Sequence, residues 1–158
     1  MSMLADTELD MATQPVTRLT EEEYLRLERV ADHKSEFVDG EIFPIAGGTL
    51  RHAAVASTWT GILLSEIARG SGYVFSSDAR IRTGSSGSYV YPNVSVTIGP
   101  PKTHEGIDDV LINPTAIVEV LSPSTADYDH GKRFHLYREI PTFADYLLVH
   151  TDTAFVEH

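Results

Sequence analysis

The chain has 158 residues, of which 42% are hydrophobic and 22% charged, so it is long and apolar enough for one globular domain, and wholesale disorder is excluded. The absence of cysteine excludes disulfides and thiolate zinc sites, and a reducing cytoplasmic location is the expectation. With 12 Lys and Arg residues against 23 Asp and Glu residues, the formal charge of −11 counts against nonspecific binding of nucleic acid.

The first 17 residues lack a hydrophobic period and carry Asp6, Glu8 and Asp10 without a basic start followed by an apolar run. We interpret residues 1–17 as a disordered tail rather than a signal peptide or a membrane anchor. No segment approaches the roughly 20 apolar residues of a spanning helix, so no membrane partner is expected. A single domain is predicted over residues 18–158.

Two local signals predict the first elements. Thr20 followed by Glu23 forms a capping box, which predicts a helix over residues 21–30, with Leu19 and Tyr24 spaced as a hydrophobic staple. Next, Asp39-Gly40 between two short apolar pairs predicts a tight two-residue hairpin, because this dipeptide suits the positive φ angles of such a turn.

Hydrophobic periodicity predicts the middle of the chain. Apolar residues recur at intervals of three and four over residues 50–69, which predicts an amphipathic helix that ends at Gly70 and packs Trp59 in the core. Short β-rich pieces at 73–75, around Ile81 and at 94–98 predict an antiparallel meander. Residues 100–109 are interpreted as a surface loop, since they have no sustained period.

Glu119 interrupts an otherwise apolar stretch, residues 116–121, that is typical of a central strand covered on both sides. A helix over residues 126–139 and strands at 146–149 and 154–156 complete an α/β pattern. A buried carboxylate is costly unless a cation or a hydrogen-bonded partner compensates its charge. For Glu119 taken alone, an exposed strand end or a bond to a nearby arginine is the favoured explanation.

Several ordered motifs, spread over most of the chain, carry a family resemblance. They are Glu36-Phe37-Val38-Asp39-Gly40-Glu41-Ile42, Arg51-His52, Tyr91-Pro92-Asn93-Val94-Ser95-Val96, Asn113-Pro114-Thr115, Ile117-Val118-Glu119-Val120-Leu121-Ser122-Pro123-Ser124-Thr125 and Tyr128-Asp129-His130-Gly131-Lys132. On these motifs the chain resembles the Uma family of restriction endonucleases, a branch of the PD-(D/E)xK nuclease fold, from about Leu19 through Val156. The resemblance implies an α/β fold of the α+β mixed-sheet kind, a restriction-endonuclease-like core in which helices flank a central mixed sheet, with an N-terminal helix and a hairpin.

The resemblance also implies a role for individual residues. Glu119 matches the family's metal-binding acid, Val120 matches a residue whose backbone carbonyl faces the ion, and Glu36 matches an acid contributed early in the chain. The lysine usual two residues after the acid is replaced by Leu121. The family takes its lysine from the following helix instead, which matches Lys132.

The implied cofactor is Mg²⁺ or Mn²⁺, the implied substrate is nucleic acid, DNA in the first instance, and the implied assembly is a homodimer. Hard oxygen ligands hold such an ion, which polarises a phosphate and supplies hydroxide, while Lys132 offsets charge in the transition state. Asp129 and His52 are expected to line the cleft, although helix capping or packing explains His52 equally well. We expect Mn²⁺ to support cleavage better than Mg²⁺, because a less exacting ion tolerates a poorer ligand set.

Two departures from the family pattern leave a second function open. Asn93 stands where the family places an aspartate after proline, and a neutral amide oxygen is a weaker ligand for a hard dication; a polar cap at a strand start explains Asn93 as well. The family domain also typically continues beyond the position of His158, so the chain is expected to be short at its C-terminus. The chain is therefore interpreted either as a metal-dependent endonuclease, with Asn93 as a metal ligand, or as a catalytically degenerate nuclease-fold module that binds without cutting.

Overall fold

The computed structural model describes residues 18–67, 70–122 and 125–158, so the predicted tail of residues 1–17 lies outside the described residues. The described helical segments are α1 Glu21–Glu28, α2 Leu50–Ile67, α3 Ala126–Tyr128, the π-helical turn Asp129–Arg133 and α4 Phe134–Tyr137. The described strands are β1 Ser35–Val38, β2 Glu41–Pro44, β3 Gly72–Ser76, β4 Arg80–Arg82, β5 Tyr89–Val90, β6 Val94–Ile98, β7 Thr103–His104, β8 Ile107–Leu111, β9 Ala116–Val120, β10 Asp145–Val149 and β11 Val156–Glu157.

The two local signals near the start of the chain are confirmed. The side chain of Thr20 accepts a hydrogen bond from the Glu23 backbone N–H at 3.2 Å, and the Glu23 carboxylate accepts one from the Thr20 N–H at 2.8 Å. The hairpin turns at Asp39 and Gly40, which have φ angles of 53° and 83°, as a tight turn between two paired strands requires. Both elements form where the sequence predicts them.

A five-stranded sheet has the order β11-β10-β9-β6-β3. Its central strand β9 pairs parallel with β10 and antiparallel with β6. The parallel pair β9 and β10 is connected through the helical region that contains α3, the π-helical turn and α4. The prediction of a central, covered strand around Glu119 is confirmed.

A second, six-stranded sheet has the order β2-β1-β5-β4-β8-β7. The predicted meander is therefore wrong in one respect, because β4, around Ile81, belongs to this sheet and pairs parallel with β8, whereas β3 and β6 pair in the other sheet. The predicted surface loop at residues 100–109 is also corrected, since β7 and β8 pair there around a turn at Gly106. The strands β4 and β7 have only three and two residues, which is too short to show a hydrophobic period.

The two faces of β9 pack against different helices because successive side chains of a strand point to opposite sides. Val118 and Val120 belong to a cluster against which Trp59 of α2 packs. On the opposite face, Ile117 belongs to a cluster with Tyr137 of α4. Glu119 shares the face of Ile117, and it therefore points towards the π-helical turn and α4.

The observed architecture, two mixed sheets with helices packed against them, confirms the predicted α/β class. Over the ranges that the structure describes, no helix combines the length and the apolar character needed to cross a membrane.

Candidate functional site

Glu119 is buried, with 1% of its surface exposed, at the centre of a hydrogen-bonded group of side chains. Its Oε1 atom accepts hydrogen bonds from Arg133 Nη1 at 2.6 Å and from the Tyr137 hydroxyl at 2.6 Å. Its Oε2 atom accepts one from the backbone N–H of Asn93 at 3.3 Å. The charge of this carboxylate is thus compensated by a guanidinium and satisfied by two further donors.

Arg133 connects the two sheets through their acidic side chains. Its guanidinium donates to Glu119 of the five-stranded sheet. Its Nη2 atom also donates to Oε1 of Glu36, which lies in β1 of the six-stranded sheet. The Nε atom of Arg133 lies 3.5 Å from Oδ1 of Asp129, one helical turn earlier. Three buried carboxylates therefore surround one guanidinium.

The spacing along the helical region explains which residues meet Glu119. Asp129, Arg133 and Tyr137 are four residues apart, so they lie along one side of a helix. That side faces β9, because Tyr137 packs with Ile117 and bonds to Glu119. The π-helical turn over Asp129–Arg133 widens the helix at this point, a local distortion that recurs at functional sites.

Lys132, which the resemblance matches to the family's catalytic lysine, is not beside Glu119. Its ammonium lies 3.0 Å from Oδ2 of Asp39, at the hairpin turn, and the two side chains are 45% and 55% exposed. The structure therefore brings Glu36, Glu119 and Asp129 together around Arg133 and leaves Lys132 outside this group. Its role as a catalytic cation stays a prediction.

Asn93 and His52 hold the backbone of the residue next to Glu119. The side-chain oxygen of Asn93 accepts a hydrogen bond from the Val120 N–H at 2.7 Å, and Nε2 of His52 lies 2.9 Å from the Val120 carbonyl oxygen. Because a carbonyl only accepts, the Nε2 atom of His52 carries the proton. Both oxygens expected to face an ion, the Asn93 amide and the Val120 carbonyl, are thus engaged in hydrogen bonds within the protein.

Burial shifts the protonation of two of the acids. It raises the pKa of Asp129 to about 6, with a further rise from the negative charge of Glu119 and an opposing effect of Arg133. It also raises the pKa of Glu36, against the lowering effects of Arg133 and of the Tyr91 N–H. A carboxylate in a low-dielectric site holds its proton more tightly, because its charged form has lost its hydration.

The pKa values of Arg133 and Tyr137 are both raised, so both groups keep their protons at neutral pH. Burial alone would lower the pKa of Arg133, but Glu119 and the other negative groups around it outweigh burial and raise the pKa well above its ordinary value. Burial, together with the charge of Glu119, raises the pKa of the Tyr137 hydroxyl well above its ordinary range. Glu119 therefore faces one permanent cation and one permanent donor.

This arrangement does not fit a divalent cation. In the part of the chain that the structure describes, no group of three His, Asp or Glu side chains could hold a metal ion. The two glutamates that would bind it are bonded to the guanidinium of Arg133, and Asn93 offers only a neutral amide already in use. Mg²⁺ or Mn²⁺ remains an expectation from the resemblance alone.

The bond from Arg133 to Glu119 matches the nearby arginine that the sequence analysis favoured for Glu119 taken alone, but neither Arg133 nor Tyr137 was predicted from the sequence as a residue of this site. The spacing could have identified Arg133, because it lies four positions after Asp129 and four before Tyr137 and therefore on the same side of the helix. Lys132 is one position away from Arg133 and therefore points to a different side of the helical region.

Comparison with known proteins gives one family and two relatives. Residues 21–158 match the Uma2 family, described as "Putative restriction endonuclease". The chain is 40% identical over 140 residues to the uncharacterized protein sll1609 of Synechocystis sp., covering 89% of this chain and 79% of that one. It is 33% identical over 143 residues to the uncharacterized protein slr1290 of the same organism, covering 90% and 74% of the two chains.

A solved structure shares the fold. It is the crystal structure of a protein from Anabaena variabilis described as a "putative nuclease belonging to DUF820", with a TM-score of 0.70 and 24% sequence identity. The match covers 89% of this chain and 79% of that chain. At this identity the likeness concerns the fold.

Proposed function

Because the chain belongs to the Uma2 family, described as "Putative restriction endonuclease", we propose that it is a nuclease-fold module that binds DNA and does not cleave it by a metal-dependent route. The observation that carries this proposal is the guanidinium of Arg133, which is bonded to both Glu36 and Glu119 where a metal ion would be expected. The proposal thus adopts the degenerate alternative that Asn93 leaves open.

Electrostatics supports this choice. Arg133 keeps its positive charge, since the surrounding acids raise its pKa well above the ordinary value. A dication about 4 Å from a guanidinium is repelled by roughly 8 kcal/mol at an effective dielectric constant of about 20. Glu36 and Glu119 would have to exchange a bonded partner for an ion that Asn93 coordinates poorly.

The second candidate is the metal-dependent endonuclease itself, hydrolysing DNA with Mg²⁺ or Mn²⁺ at Glu36, Glu119, Asn93 and Val120. It is favoured by the convergence of two buried glutamates from different sheets on one point. In this candidate, Arg133 leaves the acids when the ion binds, and Lys132 serves as the catalytic cation.

A cleavage assay separates the two candidates. Supercoiled plasmid is incubated with Mg²⁺ or Mn²⁺ and with the wild-type chain, Asn93→Asp or Glu119→Gln. We expect no cleavage by the wild type or by Asn93→Asp, because the guanidinium remains. Metal-dependent cleavage by the wild type that Glu119→Gln abolishes would establish the second candidate and overturn the first.

DNA binding is measured separately by fluorescence anisotropy with a labelled oligonucleotide, in EDTA and in Mg²⁺. The proposed module binds equally in both, because its buried carboxylates are already compensated by Arg133. Absence of binding under either condition would contradict the proposal.

We also propose that the module acts as a homodimer in the cytoplasm. The family resemblance supports the dimer, and the absence of cysteine from the sequence suits a reducing compartment. Sedimentation velocity at several protein concentrations tests the dimer, and a single monomeric species throughout would exclude it.

A further inference from the structure

A cleft of about 380 Å³ lies beside the buried charges, between α2, the end of β3 and the segment that precedes β6. His52 and Asn93 line this cleft, and the same two side chains bind the backbone of Val120, at 2.9 Å and 2.7 Å. The cleft therefore adjoins the strand residue that follows Glu119, although it does not include the acids themselves.

The lining of the cleft differs in charge from the rest of the chain. None of the described residues that line it is Asp or Glu, whereas the chain as a whole has 23 of these residues. The lining includes Lys34, Ser57, Thr60 and small apolar residues of α2 such as Ala53. The ammonium of Lys34 donates to the Ser77 carbonyl oxygen at 3.2 Å and pairs with the exposed carboxylate of Asp78. An exposed pair of this kind contributes at most about 1 kcal/mol, so a phosphate can take the place of Asp78. In a chain of net charge −11, this surface opposes an incoming polyanion less than the acidic surfaces do.

Tyr91 adds an aromatic wall to the cleft. Its hydroxyl donates to Glu28 at 3.0 Å, which fixes the ring, and the ammonium of Lys34 lies 5.5 Å from the ring centre. An aromatic ring next to a cation is a combination that binds the base and the phosphate of a nucleotide in single-stranded nucleic acid. The hydroxyl groups nearby suit the polar edge of a base or a sugar.

We infer that this cleft binds one nucleotide of a single-stranded DNA segment, with its phosphate in the place of Asp78 at the ammonium of Lys34 and its base between Tyr91 and Ala53 of α2. Its volume falls within the range of about 300–1,000 Å³ for small-ligand sites, which suits one nucleotide and excludes a stretch of duplex. The inference rests on the proposed function, since it assumes that the module binds DNA, and it adds the single-stranded substrate class.

The test compares two matched variants on α2. Ala53→Trp fills the cleft, whereas Ala54→Trp places the same side chain on a neighbouring exposed position that does not line it. Affinity for a short labelled single-stranded oligonucleotide and for the duplex of the same sequence is measured by fluorescence anisotropy. We expect Ala53→Trp to weaken single-strand binding about tenfold or more, as loss of one base contact does, and Ala54→Trp to leave it unchanged.

Two further probes test the contacts inside the cleft. An oligonucleotide in which every nucleotide is abasic should bind the wild type and Ala53→Trp with the same affinity, because the base that enters the cleft is absent. Lys34→Gln should lower the dependence of log affinity on log salt concentration by about one, as removal of one phosphate contact does.

The outcomes distinguish this inference from the proposed function. If the wild type binds DNA but Ala53→Trp and Ala54→Trp bind single strands alike, the cleft inference is overturned and the proposed function stands. If the wild type prefers the duplex, the single-stranded class is wrong. If the wild type binds neither form, both proposals fail together.

Discussion

Arg133 offers a test at the scale of a single residue. Glu36 and Glu119 are 5% and 1% exposed, and replacing Arg133 by methionine leaves both without a counter-ion. Breaking a buried ion pair by removing one partner costs about 3–5 kcal/mol, because the remaining charge stays desolvated. We expect Arg133→Met to lower the free energy of unfolding by this amount, measured by urea denaturation.

Lys132→Met is the matched control for this prediction. It removes the same charge from the adjacent residue, but the pair of Lys132 with Asp39 is about half exposed, and such pairs contribute at most about 1 kcal/mol. Equal losses of stability in the two variants would contradict the assignment of Arg133 as the buried counter-ion.

Tyr137 is the second partner of Glu119 that a single substitution can remove. Its hydroxyl donates to Oε1 of Glu119 at 2.6 Å in a fully buried position. We expect Tyr137→Phe to lower the free energy of unfolding by about 1.5–3 kcal/mol, the usual contribution of a hydrogen bond to a charged group. Urea denaturation measures this value, and an unchanged midpoint would show that the bond contributes nothing to stability.

At the scale of the elements, two glycines should respond to alanine in opposite directions. Gly40 has φ +83° in the hairpin, and an added Cβ would lie 2.8 Å from Cβ of Arg18, so Gly40→Ala should destabilise the protein by about 1 kcal/mol or more. Gly61 lies inside α2 with open space around it, so Gly61→Ala should stabilise the protein by about 0.5–1 kcal/mol. Thermal unfolding of the two variants measures both changes, and shifts of the same sign would contradict this assignment.

The sequence predicts the elements that depend on local residues, but it does not predict which strands pair. The capping box at Thr20 and the turn at Asp39-Gly40 depend on residues that are close in the chain, so their chemistry is readable from the sequence. The assignment of β4 to the six-stranded sheet, and the pairing of β7 with β8, depend on partners and on a bulge that local polarity does not reveal.

The sequence predicts the acids of the candidate site and a partner for Glu119, but it does not identify which cation that partner is. Glu119 is recognisable because a lone carboxylate in an apolar strand needs compensation. The choice between Lys132 and Arg133 depends on how the helix is rotated against β9, and this rotation is set by the packing of Tyr137 on Ile117. The π-helical turn also changes the helical period locally, and no residue pattern in this segment predicts that change.

At the scale of the whole molecule, the buried acids couple stability to pH. The pKa of Asp129 is about 6 in the folded chain, above its ordinary value of 3.8, so the folded state keeps a proton that the unfolded state has lost between these values. Stability from this group is therefore fully present below about pH 4 and is lost as the pH rises through 6. Glu36, whose pKa is also raised, acts in the same direction.

Asp129→Asn isolates this effect, because the amide has nearly the same shape and does not titrate. Between pH 7 and pH 5 the wild type should gain roughly 1 kcal/mol in the free energy of unfolding relative to the variant, as the shifted pKa of Asp129 requires. Urea denaturation of both proteins at the two pH values measures the difference. The two proteins share all other titratable groups, so the contributions of these groups to the pH dependence cancel in the comparison. Parallel pH profiles would mean that Asp129 titrates alike in the folded and unfolded chains, and that its carboxylate is not desolvated beside Arg133.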